Sequence, residues 1–83
     1  MITSQQMKAA RALLWIDQRE LARLSGVSLP TIQRMEASEG VVRAVVHSLD
    51  KVVKAINQAG VELISAGQRS EGMGRGVRLI ERS

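Results

Sequence analysis

Apolar positions recur along this chain in two different periods. From Thr3 to Gly60 they return every three to four residues, the spacing of a helix with one buried side; after Gly60 they alternate with charged residues. Thr3 or Ser4 can cap a first helix running to about Leu14, with Met7, Ala10, Leu13 and Leu14 on its inner side. Asp17 starts a second helix. Asp17 and Glu20 have capping-box spacing, and Ile16 and Leu21 bracket the start as a hydrophobic staple. Ser25-Gly26 stops this helix within about two turns.

The same signature then repeats. Ser28 caps a third helix, Pro30 sits in its first turn where a missing N–H costs nothing, and Val27 with Ile32 repeats the staple. Ile32 and Met35 form its buried stripe. Residues 36–40, Glu36 first, read as its exit and a loop. A fourth helix is expected over residues 44–59, with Gly60 as its stop and Val45, Leu49, Val52, Val53 and Ile56 as its apolar stripe.

Past Gly60, residues 61–64 and 77–80 each alternate apolar and charged, then end apolar, which predicts two short strands. Residues 65–76 hold Gly67, Gly72, Gly74 and Gly76 and read as a mobile loop joining them.

Composition narrows the function classes. Eighty-three residues allow one domain. A chain this small buries only about 60–65% of its unfolded surface, so its core is thin. No apolar run approaches the roughly 18–20 residues that span a bilayer, and the start lacks the pattern of a signal peptide. With no Cys, disulfides, thiolate zinc sites and thiol catalysis are excluded, and a cytoplasmic location is expected. Twelve Lys and Arg stand against 8 Asp and Glu, and the net charge of +4 suits a polyanionic partner.

Catalysis finds little support. Asp17, Glu20 and Glu36 read as caps and surface partners, with no second group to make a catalytic pair. His47, the one His, lies beside Val45 and Val46 and reads as a surface residue rather than a base or ligand. The four Met residues show no recurring spacing, so no Met-lined cofactor site is expected. Gly72-Met-Gly-Arg-Gly bridges no strand to a helix and lacks the Gly-Lys-Ser/Thr ending of a phosphate loop. No cofactor, metal or enzyme activity is expected.

The informative stretch is Gln18-Arg-Glu-Leu-Ala-Arg-Leu-Ser-Gly-Val-Ser-Leu-Pro-Thr-Ile-Gln-Arg-Met-Glu36. It encodes a short helix, a tight turn at Gly26 and a second short helix, with Ala22 small enough for a close crossing. Gln at the start of the first of these helices, Leu-Ala, Ser-Gly-Val-Ser, then Thr-Ile and Glu occur together. This pattern resembles the lambda-repressor-like helix-turn-helix family (the Cro/repressor, or XRE, family). Arg11-Ala-Leu-Leu resembles the family's first helix, and the likeness covers residues 3–60.

The resemblance implies a mainly α fold with a four-helix DNA-binding domain over residues 1–60; where longer relatives have a fifth helix, the alternation in this chain predicts a C-terminal β-hairpin or dimerising strand pair over residues 61–83. It implies that Gln18 binds a phosphate and braces the reading helix. It places Ser28, Leu29, Pro30 and Thr31 at base edges and backbone, Gln33 and Arg34 at bases or flanking phosphates, and Arg43 at the backbone; Glu36 matches a position that is more often structural. Gln18 is equally a good helix former, and Lys8, Arg11, Arg19 and Arg23 read individually as solvated charges. Leu29 and Pro30 cannot hydrogen-bond a purine and can only touch a thymine methyl or shape the fit, so discrimination falls on Thr31, Gln33 and Arg34. Trp15 stands where relatives often have Gly. A Trp tolerates the left-handed conformation poorly, so this junction is expected to be built differently.

The function so implied is a sequence-specific transcriptional regulator acting as a homodimer on an inverted-repeat operator, a repressor or autoregulating controller of a phage or mobile element. The alternative is an antitoxin-type module that binds a toxin and autoregulates its promoter. For Val61, Leu63, Ile64, Val77, Leu79 and Ile80 two outcomes are open. They pack on their own fourth helix, or they pair with a second subunit; the second is favoured, because a twofold-symmetric reader needs an element that spaces its two reading helices.

Overall fold

The computed structural model describes residues 2–65 and 74–80. Within them the chain is mainly helical, with four helices and a two-stranded antiparallel sheet. Helix α1 spans Ser4–Leu14, α2 Gln18–Ser25, α3 Leu29–Glu36 and α4 Val46–Ala59; strand β1 spans Val61–Ile64 and β2 Gly76–Leu79.

Local chemistry sets the helix boundaries. Thr3 and Gln6 close a reciprocal box: the Gln6 amide donates to Thr3 Oγ1 at 3.1 Å, and the Thr3 amide donates to Gln6 Oε1 at 2.9 Å. Asp17 accepts the Glu20 amide at 2.8 Å, and Ser28 accepts the Thr31 amide at 3.4 Å. Gly26 ends α2 at φ 72°, a left-handed backbone that costs glycine little. The end of α1 departs from expectation. Trp15 takes the left-handed conformation itself, at φ 58° and ψ 37°, and its amide donates to the carbonyls of Ala12 and Arg11. The junction therefore has the geometry that a Gly would give it. The capping bonds and the closure onto Ile16 and Asp17 override the residue's own preference, and the side chain is left 93% exposed.

Helix α4 begins at Val46, two residues later than its periodicity predicts. Val45 is its cap residue, extended at φ −63° and ψ 144°, so it falls outside the helical period and is 70% exposed rather than part of the buried stripe. The stripe starts at Leu49 and continues through Val52 and Ile56, with Val53 half-buried. Glu36 is a second difference. It belongs to the last turn of α3, not to the exit loop, and only 3% of it is exposed.

The core draws on all four helices and β1: Met7 and Ala10 from α1, Leu21 from α2, Ile32 and Met35 from α3, Val52 and Ile56 from α4, and Val61 from β1, with Val77 of β2 half-buried against it. Ile2 and Val42 join it through a contact that periodicity does not announce. The N-terminal segment runs antiparallel to the α3–α4 loop, bridging Thr3 to Val41, with the Val42 amide on Ile2 O and the Ser4 amide on Gly40 O, both at 2.9 Å. These bonds fix the loop that leads into α4.

The two strands pair within the chain, Val61 opposite Leu79 and Leu63 opposite Val77. Ile80 lies just beyond the ladder, and its amide donates to Gly60 O at 2.7 Å. Glu62 and Arg78 face each other and form an exposed ion pair at 2.7 Å. The sheet packs against α1 and α4. Gln6, almost wholly buried, donates its side-chain amide to Ile64 O at 2.9 Å and Gly76 O at 3.0 Å, pinning both strands to α1. Val61 and Ile64 are buried inside the chain's own core, whereas Leu79 is 56% exposed. Of the loop expected over residues 65–76, residues 66–73, with Gly67 and Gly72, lie outside the described residues, as does Met73. Among the described residues no helix is long and apolar enough to cross a membrane.

Candidate nucleic-acid interface

Helices α2 and α3 are separated only by Gly26, Val27 and Ser28. The Gly26 amide donates to Ala22 O at 2.9 Å, and the Val27 amide is held by Ser25 Oγ at 3.2 Å. Val27 is buried beneath the turn. With Ile32 and Met35 fully packed behind it, α3 can present only its opposite side to solvent. Ser28, Pro30, Gln33 and Arg34 are exposed, and Leu29 and Thr31 are half-buried.

The polar groups of this side are linked. Ser28 Oγ donates to Thr31 Oγ1 at 2.9 Å, and Arg34 Nη2 donates to the same Thr31 oxygen at 3.0 Å. These residues are three apart, so they stand in one row along the helix. Beyond the row a cavity of about 410 Å³ opens between α3, the following loop and the start of α4, lined by Thr31, Arg34, Met35, Arg43, Ala44, Val45 and Ser48. The structure thus brings Thr31, Arg34 and Arg43 together. Because α4 is capped by Val45, which offers no acceptor, its first amides have no side-chain partner. The positive end of a 14-residue helix therefore adds to the two guanidinium groups beside it.

Gln18 lies elsewhere. It is half-buried at the start of α2, and its Nε2 donates to Glu36 Oε1 at 3.2 Å, so it braces the far end of α3. Glu36 also accepts Arg11 Nε and Nη2, both at 2.7 Å. Arg11 is therefore not a solvated charge, and Glu36 is not a surface partner: the pair is 21% and 2% exposed at its side chains and ties α1 to α3. Donating hydrogen bonds to Glu36 raises the pKa of the Arg11 guanidinium above its ordinary value, outweighing desolvation. Helical periodicity assigns each helix a buried side but does not reveal which polar groups cross between helices. Neither this pair nor Ser48 and the open start of α4 stands out along the chain.

The arginines divide into two sets. Arg11, Arg23 and Arg78 are each matched by a carboxylate: Glu36, Glu20 and Glu62. Arg23 so lowers the Glu20 carboxyl below its usual range. Among the described residues Arg34 and Arg43, on the cavity, and Arg19 and Arg75, outside its lining, have no acidic partner within ion-pair distance. His47 is exposed on α4 and does not line the cavity. Compared with protein-family models and with curated proteins, the chain gives no match.

Proposed function

We propose that this protein is a sequence-specific DNA-binding regulator of transcription of the helix-turn-helix type, working as a homodimer on an inverted-repeat operator in the cytoplasm. In this reading α3 lies in the major groove, the only groove wide enough to admit a helix and carrying a distinct pattern for each base pair. Arg43 and the open amides of α4 meet a phosphate beside it, as helix N-termini do. Gln18, Glu36 and Arg11 hold α3 at its angle. Phosphate contacts supply most of the affinity and fix the register, and the row from Ser28 to Arg34 selects the sequence.

The observation that carries this reading is that Arg34 and Arg43, both without an acidic partner among the described residues, share one cavity with the uncapped start of α4. Arg11, Arg23 and Arg78 are neutralised by neighbouring carboxylates. Among the described residues Lys8, Arg19, Lys51, Lys54 and Arg75 are also exposed without an ion pair, but none of them lines this cavity, where two guanidinium groups and a helix start converge on the place of a partner's anion. The test is a titration of duplex DNA across salt concentrations. Two subunits, each neutralising about four phosphates, give a log–log slope near −7. A slope near zero overturns the reading.

A further inference from the structure

Arg34 is held in place before any ligand arrives. Its Nη2 donates to Thr31 Oγ1 at 3.0 Å, and that oxygen is itself fixed by Ser28 Oγ at 2.9 Å. Ser28 is the helix cap, so the row is anchored to the backbone at its first member. An exposed arginine ordinarily samples many rotamers, and ordering it on binding costs freedom. One bond to the hydroxyl uses a single donor of five and leaves the remainder of the planar fork available. Among the described residues no carboxylate competes for it. Its neighbours at the start of the helix, Leu29 and Pro30, offer no hydrogen-bonding side chain. Arg34 is thus the strongest donor on this side of α3, and a guanidinium matches one base edge best: the paired acceptors O6 and N7 of guanine.

We infer that Arg34 reads one guanine in each half-site, and that Thr31 acts as a positioning residue for Arg34 rather than as a base reader of its own. This rests on the DNA-binding reading above. It assigns the two residues different consequences. Removing Arg34 removes one base preference, and removing the Thr31 hydroxyl blurs that same preference without creating a second.

The experiment is a binding selection from a random-sequence duplex pool. It uses the full chain and its Arg34→Ala, Thr31→Val and Thr31→Ser variants, each checked for native helicity by circular dichroism. The wild type is expected to select one guanine per half-site. Arg34→Ala should lower discrimination at that position about 5- to 100-fold and leave the other positions as they were. Thr31→Val should lower it roughly 3- to 10-fold at the same position, with Thr31→Ser close to wild type. A Thr31→Val profile altered at a different position, or unaltered, overturns the positioning role. Equal losses by Arg34→Ala on selected and random DNA overturn base reading and make Arg34 a phosphate contact. Both of those results leave DNA binding standing. A pool with no enrichment and no salt-dependent binding removes the DNA-binding reading, and this inference with it.

Discussion

Glu36 sits at the end of α3 with three donors on its carboxylate: Arg11 through two bonds of 2.7 Å, and Gln18 through one of 3.2 Å. The Arg11–Glu36 pair joins residues 25 positions apart and crosses from the first helix to the third. A carboxylate with a side chain 2% exposed has lost nearly all its water, and only this geometry replaces it. The angle at which α3 leaves the core therefore depends on a charge pair as well as on apolar packing.

Arg11→Ala should destabilise the fold by about 3 kcal/mol, because it strands a buried carboxylate with one amide donor. That is a large share of the roughly 5–15 kcal/mol that stabilises a domain. The double variant Arg11→Leu/Glu36→Leu should recover most of the loss, since no charge is then left buried. Urea denaturation followed by circular dichroism measures both. A single-variant loss below about 1 kcal/mol would show that solvent compensates the carboxylate.

Trp15→Gly should raise stability. The left-handed backbone costs a non-glycine residue about 1–2 kcal/mol. The indole, 93% exposed, gives back almost no packing. Glycine's greater freedom in the unfolded chain offsets about 0.5–1 kcal/mol of the gain. The net, close to 1 kcal/mol, corresponds to a Tm higher by about 4–8 °C in a chain of this size. Thermal unfolding by circular dichroism checks it; an unchanged or lower Tm would mean that Trp15 has contacts in solution that stabilise the fold.

Much of this architecture is legible along the chain because caps and stops act locally. Thr3, Asp17, Ser28, Gly26 and Gly60 each do their work within four residues, and they set the phase of every helix, including which side of α3 faces out. What the sequence hides is non-local. Val45 fits the apolar period of α4 and yet lies outside it, because the loop bonded to Ile2 and Ser4 delivers the chain in extended form as far as that residue. Trp15 contradicts local propensity, because closure between α1 and α2 outweighs one residue's preference. Of the candidate site, the row on α3 follows from its caps, whereas its meeting with Arg43 depends on that same distant loop. The alternation in the strands is readable, but not that Gln6 would bind both of them.

Arg43→Ala should weaken binding to operator and to random DNA by the same factor. Arg43 lines one cavity with the start of α4, where the proposed function puts a phosphate, and phosphate contacts carry no sequence information. Each lost contact lowers the salt slope by about 0.9, so a dimer should lose nearly 2. Titrations at several salt concentrations measure this. A selective loss on operator alone would move Arg43 from the backbone to a base edge.

Val61→Ala should cost about 2 kcal/mol, the ordinary range for removing methyl groups from a packed core. Val61 is completely buried against the helices, so β1 completes the core of the preceding helices. For the same reason deletion of residues 61–83 should unfold the chain. Circular dichroism of the truncated protein tests it, and a cooperative unfolding transition with native helicity would show that the helices close a core alone.

The strands have a second consequence for assembly. Val61 and Ile64 are used up inside the chain, but Leu79 is 56% exposed on β2, and the outer edge of β2 pairs with no other strand among the described residues. An open edge with an apolar side chain invites a second copy, and two β2 strands related by a twofold axis would extend the sheet across the pair. The outward side of α4 carries His47, Asp50, Lys51 and Lys54, all exposed, and is a poor alternative. Leu79→Lys places a charge in that seam while leaving the buried residues untouched. The expected result is a wild-type dimer by light scattering, a monomer for the variant at equal concentration, unchanged helicity, and operator affinity reduced toward that of a single subunit. A variant that stays dimeric and binds the operator as before would put the interface elsewhere. Apart from Val45, which lines the cavity, the other strongly exposed apolar side chains are then Trp15, 93% exposed at the end of α1, and Val46, 73% exposed at the start of α4.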